Sequence, residues 1–362
     1  MNPSFSGHLL CSYFVRLSPQ KFIEIAETLG SPKALLTSTS STLLKYCKEP
    51  IVNAFMTFRK TFSAQKIVEL LKQKNITYLP RDDPHFPQLL RDIPDCPIGI
   101  FVKGNVSLLT EDRLFVAMVG TRLPTSYGTL LVSTFIKDFP KNKTVIVSGM
   151  ALGTDGEVHS QALKNNIPTI AVLAGGVDYI YPARHRYLYE NILASHGAIV
   201  SEMPPGTQPL PHFFLERNRI IAGLCRAVII IEGSSRSGTL ATARCAAEYD
   251  RAVFAPPHPI TSSKSAAPHY LLKQGANLIT ETSDILQYFD IQINLVDTLQ
   301  TPLTKTHSLL LRYLTDNQQL SVDELIEKTK LQPSVIFSLL SELELLGVIA
   351  KAQDGTYYQS TP

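Results

Sequence analysis

Glycine, hydroxyl and basic side chains recur together at five places in this sequence. The first is Val119-Gly120-Thr121-Arg122, followed by Pro124 and Ser126-Tyr127-Gly128. Glycine lets a ligand approach the backbone closely. A hydroxyl, a guanidinium and helix N–H groups beside it suit a phosphate. The bland alternative is a tight strand-to-helix turn with a surface arginine. The spacing is not G-x-G-x-x-G, which disfavours a dinucleotide oxidoreductase. The second place is Ser148-Gly149-Met150-Ala151-Leu152-Gly153-Thr154-Asp155, with His159 one helical turn on. Asp155 is placed to cap a helix with His159 on the same face, so a structural Asp155–His159 contact is expected. No further residue has the spacing of a metal ligand.

The third place, Gly175-Gly176-Val177-Asp178-Tyr179-Ile180-Tyr181-Pro182, holds an aspartate suited to fixing the loop through backbone N–H groups. Tyr181 either stacks on a base or packs, and packing is the commoner fate. The fourth runs from Ser201-Glu202 to Arg217-Asn218-Arg219, close to Phe213 and Phe214. Arginine beside aromatic rings binds single strands through phosphate contacts and stacking. Against that, at least one arginine of the pair is expected to be a core ion-pair partner. The fifth is Glu232-Gly233-Ser234-Ser235-Arg236-Ser237-Gly238-Thr239. It reads as an anion cradle or, taken alone, as an ordinary helix cap. Five such loops on one sheet edge point to a phosphate-bearing ligand.

The elements that must position these loops are legible as short apolar runs. Leu114–Val119, Thr144–Val147, Thr169–Leu173, Ala198–Val200, Ala227–Ile231 and Ala252–Ala255 alternate with helical stretches and lack a period of two. Strands of that kind are buried on both faces, and alternation with helices implies right-handed crossovers. The fold class is therefore α/β, with a Rossmann-like, doubly wound parallel sheet as its core, over 113–290. A helical N-terminal domain (SAM/helix-hairpin-helix-like) precedes it at 1–75. There Ser18-Pro19 opens a helix and Gly30 closes it. Residues 76–112, rich in proline, read as an extended connector packing on the core. A linker at 291–304 leads to a winged-helix-like domain at 305–362. Its signals are the capping box Ser321/Glu324, a helix starting at Pro333, and a hairpin turn at Asp354-Gly355.

With 362 residues, 44% hydrophobic and 18% charged, the chain is globular and long enough for two to three domains. Its net charge of +3 excludes binding to nucleic acid through bulk charge alone, so any such binding needs a local groove. No apolar run reaches the length of a bilayer span, and no membrane association is expected. The five cysteines are scattered and odd in number, which fits free thiols in a reducing cytoplasm.

In order, these motifs are G-T-R…Y-G, S-G-x-A-x-G-x-D-x-x-x-H, G-x-D-x-x-Y-P, S-E-x-P, R-N-R-I-I-A-G-L and S-G-T-L-x-T-A-x-x-A. Together they resemble the DprA (Smf) family of DNA-processing proteins, as do Arg81-Asp82-Asp83-Pro84 and Phe101-Val102-Lys103-Gly104 in the connector. The resemblance implies a homodimer that binds and protects incoming single-stranded DNA and loads the RecA recombinase during natural transformation. It implies DNA contacts at Gly120, Thr121 and Arg122, at Ser148, Gly149 and Gly153, at Arg217, Asn218 and Arg219, and at Ser237, Gly238 and Thr239. No catalytic residue, cofactor or metal is expected. The sequence departs from the family pattern at Leu215, at His185 and at His269.

Two other classes compete. Nucleotide hydrolases of the lysine-decarboxylase-like class carry a glutamate that acts at the glycosidic bond. Thr242 stands in its place here, so that acid–base group is missing. A transcription regulator would read DNA through the C-terminal domain. Residues 305–362 hold five Lys/Arg against seven Asp/Glu, and the helix after Pro333 carries Glu342 and Glu344 without a basic residue. Phosphate repulsion disfavours major-groove docking, and a protein-contact module is expected instead.

Overall fold

The computed structural model describes residues 3–291, 305–314, 319–345, 348–352 and 354–359. The chain forms two compact units, residues 1–290 and 291–362. The expected linker, 291–304, lies outside the described residues except for Ile291.

The first unit opens with helices α1 (Pro3–Tyr13), α2 (Pro19–Thr28), α3 (Ser40–Leu43), α4 (Glu49–Thr61) and α5 (Ala64–Gln73). Ser18 caps α2 by accepting from the Lys21 N–H, and Gly30 follows the helix at φ +82°. Phe14, Phe22, Ile25, Val52 and Phe55 give these helices a core of their own. Strand β1 (Ile76–Pro80), the short helix α6 (Gln88–Arg91) and β2 (Gly99–Gly104) follow. The alternating series is then β3 (Leu114–Val119), α7 (Ser126–Lys137), β4 (Thr144–Ser148), α8 (Thr154–Lys164), β5 (Thr169–Val172), α9 (Arg186–Ala194) and β6 (Ala198–Ser201). It continues with α10 (Pro211–Leu224), β7 (Ala227–Ile230), α11 (Thr239–Glu248), β8 (Ala252–Ala255), α12 (Ala266–Lys273), β9 (Asn277–Leu278) and α13 (Thr282–Tyr288).

All nine strands form one sheet in the order β1-β2-β6-β5-β4-β3-β7-β8-β9. Strands β3 to β9 run parallel, while β2 joins β6 and β1 joins β2 antiparallel. The segment read as a connector thus does more than pack on the core. Its two ends extend the sheet, because Ile100 and Val102 bury one face of β2 while Phe101 buries the other. The apolar runs lack alternation because helices cover both faces. On one side Val119, Val147, Val172 and Ile230 pack against Ile220, Ile221 and Leu224 of α10 and Ala243 of α11. On the other, Ala171 and Ile199 pack against Leu9 of α1, Leu71 of α5 and Ile192 of α9.

Chain order runs outward from β3 to β4, β5 and β6, then returns to β7 on the other side of β3. The crevice beyond the carboxyl ends of β3 and β7 is therefore the topological switch point, where open α/β sheets bind ligands.

The second unit comprises α14 (Lys305–Tyr313), α15 (Val322–Thr329), α16 (Pro333–Leu345), β10 (Ile349–Lys351) and β11 (Tyr357–Gln359). Ser321 and Glu324 form the capping box of α15, and β10 and β11 pair antiparallel. Leu320 bridges Tyr357 as a third, one-residue strand.

Candidate nucleic-acid interface

A cleft of about 320 Å³ opens at the switch point. Gly120, Thr121 and Arg122 enter it from the end of β3, Arg217 and Asn218 from α10, and Ser237, Gly238 and Thr239 from the start of α11. Glu232, fully buried just past β7, fixes the wall. Its carboxylate accepts from the Thr125 N–H at 2.9 Å and from Thr125 Oγ1 at 2.6 Å. The loops after β3 and β7 are thereby tied together. The Thr121 carbonyl accepts from both the N–H and the Oγ1 of Thr154, which anchors the same loop to α8. Ser237 Oγ accepts from Thr239 Oγ1 at 2.8 Å, and Asn218 Nδ2 donates to the Gly238 carbonyl at 3.3 Å. The positive end of the α11 dipole faces the cleft beside the exposed Arg122.

Arg122 lies across the ring of Phe214, 5.3 Å from its centroid. The ring of Tyr181 meets Phe214 edge-on at 5.6 Å, and Tyr181 is half exposed. Phe213, the other aromatic beside the R-N-R segment, packs instead with Ala174 and Met203.

Arg217 reaches the cleft from beneath and is itself buried. Its Nη1 donates to the carbonyls of Gly149 and Val172, and its Nε donates to Asn218 Oδ1. Burial pulls the guanidinium down to about 10, against the opposing field of Asp155. Burial raises Asp155, while Arg217 and the N–H groups of Ala151, Gly149 and Gly120 hold it down. The net charge offered to a ligand at the mouth is thus that of Arg122.

Four of the twelve expected contacts lie outside the cleft. Ser148 is fully buried and donates its hydroxyl to the Met118 carbonyl, joining β4 to β3. Gly149 is glycine because a Cβ there would strike the Arg217 guanidinium. Gly153 adopts φ +79° and packs on the backbone of Thr121 and Arg122. Arg219 points to the far side of α10, paired with Glu202 and Asp95, and Asp95 also accepts from the Tyr249 hydroxyl. Ser148, Gly149 and Gly153 thus support the cleft from behind, while Arg219 faces away from it.

The expected Asp155–His159 contact is not formed. Asp155 accepts from the Ala151 N–H at 3.3 Å. His159 Nδ1 lies 2.8 Å from Thr169 Oγ1, which donates its own proton to the Ile146 carbonyl. Nδ1 therefore carries the imidazole proton, and Nε2 has no hydrogen-bond partner among the described residues. Burial, with His185 and Arg217 nearby, pulls His159 down to about 3. Between that value and 6.5 the unfolded chain binds the proton and the folded chain does not. Stability therefore falls on acidification, by about 1.4 kcal/mol per pH unit for this one group. Urea unfolding at pH 7 and pH 5 is expected to show a loss of about 2 kcal/mol that His159→Gln removes. Equal pH dependence in both proteins would refute the assignment.

Asp178 fixes its loop as expected, accepting from the Gly206 N–H at 2.7 Å, and it also pairs with Lys74 at 2.6 Å. His269, a departure from the family pattern, caps the His258 carbonyl at 3.0 Å. Thr242 lines the cleft and is buried. Among the described residues no three His, Cys, Asp or Glu converge as metal ligands, and no helix is long and apolar enough to cross a bilayer.

A Rossmann-like sheet with an arginine- and aromatic-lined cleft at its switch point defines an α/β protein of the doubly wound class. Comparison with known proteins specifies the family. The family model described as DNA recombination-mediator protein A matches residues 77–290, and that of the DprA winged helix domain matches 297–355. Protein Smf of Escherichia coli is 36% identical over 293 residues, 79% of this chain and 78% of its own length. The DNA processing protein DprA of Streptococcus pneumoniae is 42% identical over 208 residues, 58% of this chain and 72% of its own. The X-ray structure of DprA from S. pneumoniae superposes with a TM-score of 0.69 at 32% identity, covering 81% of this chain and 99% of that one. A structure of DNA processing protein A from Helicobacter pylori, described for its single-stranded DNA binding mode, gives 0.53 at 31% identity. It covers 59% of this chain and 95% of that one. The chain belongs to the DNA recombination-mediator protein A (DprA/Smf) family.

Proposed function

We propose that this chain binds single-stranded DNA in the switch-point cleft and acts as a recombination mediator. In this reading it protects incoming DNA, works as a homodimer in the cytoplasm and loads RecA during natural transformation. The observation that carries the DNA-binding step is Arg122 lying over Phe214 beside the start of α11. A phosphate then meets a guanidinium and a helix N-terminus, while its base meets an aromatic face. The H. pylori relative, described for its single-stranded DNA binding, supports the same reading.

Residues 113–290 are the DNA-binding core in this scheme, with 1–75 and 305–362 as accessory domains. On α16 of the second unit the exposed Glu344 lies two turns from Phe337, 54% exposed, on the same helix face, a face suited to a protein partner. The hydrolase reading is weaker. Its glutamate position holds Thr242, and the cleft's carboxylate, Asp155, is buried under the charge of Arg217.

Salt-titrated binding to single- and double-stranded oligonucleotides tests the proposal. Single strands are expected to bind at least about tenfold tighter at matched salt, with affinity falling steeply as salt rises. Equal or tighter duplex binding would sink it.

A further inference from the structure

The small net charge of the chain conceals a strong asymmetry. Residues 1–75 hold ten Lys/Arg against four Asp/Glu, whereas residues 76–362 hold 24 against 27. The N-terminal helices thus carry +6 and the remainder −3. A charge imbalance of this kind between parts of one chain marks a surface for a polyanion.

The cations are available. Lys33, Lys45, Lys48, Lys60, Lys66 and Lys72 are exposed, and none has an acidic partner among the described residues. Of the four carboxylates, Glu24 is already held by Lys21 at 2.6 Å. The apolar residues of these helices are committed elsewhere, to their own core and to the sheet face through Leu9 and Leu71. The helices that carry these lysines are therefore packed on the sheet, and their exposed residues leave no wide apolar face for inserting into lipid.

Its position links it to the cleft. Lys74, just past α5, pairs with Asp178, and Asp178 fixes the loop that presents Tyr181 to Phe214 beneath Arg122. A strand leaving the cleft past Tyr181 arrives at the end of α5. We propose that the N-terminal helices form a second DNA contact, gripping the phosphate backbone of the strand held in the cleft without reading its bases. This rests on the single-strand reading of the cleft.

The test compares the full-length protein with the variant Lys48→Gln/Lys60→Gln/Lys66→Gln/Lys72→Gln. The probes are labelled oligothymidylates of about 6 and about 40 nucleotides, the shorter sized to the cleft alone. The variant is expected to bind the long probe about ten- to a hundredfold more weakly. Its salt slope should be lower by up to about 3, at about 0.7 per lost contact. Its affinity for the short probe should change less than about twofold. The matching Lys→Arg variant should retain long-probe binding, which ties the loss to charge.

An unchanged long-probe affinity in a variant with the wild-type thermal midpoint would overturn the proposal. So would an equal loss on both probes, or a variant defective only for anionic phosphatidylserine vesicles. Arg122→Ala separates the two readings. It should weaken both probes. If it weakens neither while the lysine variant loses the long one, the cleft reading fails and the proposal of a shared strand is overturned with it. Loss with Arg122→Ala but not with the lysine variant overturns the second contact alone.

Discussion

Replacing Arg217 with alanine is expected to destabilise the first unit by about 3–5 kcal/mol, the cost of breaking a buried charged network. The guanidinium satisfies the carbonyls of Gly149 and Val172 at the ends of β4 and β5, and it faces the buried Asp155 carboxylate. Alanine strands both carbonyls, leaves the buried Asp155 carboxylate without its countercharge and opens a cavity beneath the cleft. The thermal midpoint should fall by roughly 10 °C. Arg217→Lys should recover only part of the loss, because one ammonium cannot span both carbonyls with a fixed fork. A midpoint within about 2 °C of wild type would show that Arg217 is a ligand contact and not part of the frame.

Arg122→Ala should behave in the opposite way. Arg122 is exposed, its guanidinium lies over Phe214, and no carboxylate pairs with it among the described residues. The midpoint should barely move. Affinity for single-stranded DNA should fall about ten- to a hundredfold, the equivalent of one charge-assisted contact of about 1.5–3 kcal/mol. The salt slope should fall by about 0.7, and Arg122→Lys should restore part of the affinity. If Arg122→Ala unfolds the protein, the residue is structural. If it folds and binds normally, the DNA does not use this cleft.

These two arginines show where reading from sequence stops. The parallel core was legible because its signals are local. Buried strands such as Leu114–Val119 are apolar without alternation, Ser18-Pro19 and Ser321/Glu324 cap helices through neighbours three residues away, and Asp354-Gly355 closes a hairpin. The loops between them were legible too, because glycine beside hydroxyl and basic residues has few other uses at a strand end.

The roles inside those loops were not legible, for a geometric reason. Arg217 and Arg219 sit two residues apart on α10, about 200° around the helix, so they project to opposite sides. One meets strand-end carbonyls and the other meets Glu202 and Asp95. Asp155 and His159 have the spacing of a surface pair, yet α8 is buried where they lie, and each is taken by a different neighbour.

By itself the sequence determined the α/β class, the strands of the parallel core, the helix caps and the set of loops that gather at one sheet edge. The tertiary structure decided that β1 and β2 extend the sheet, that Arg122 lies over Phe214, and that Ser148, Gly149, Gly153 and Arg219 lie outside the cleft. Local signals depend on residues within a turn of one another. A side chain's role depends on which distant group satisfies it when water is excluded, and only packing settles that.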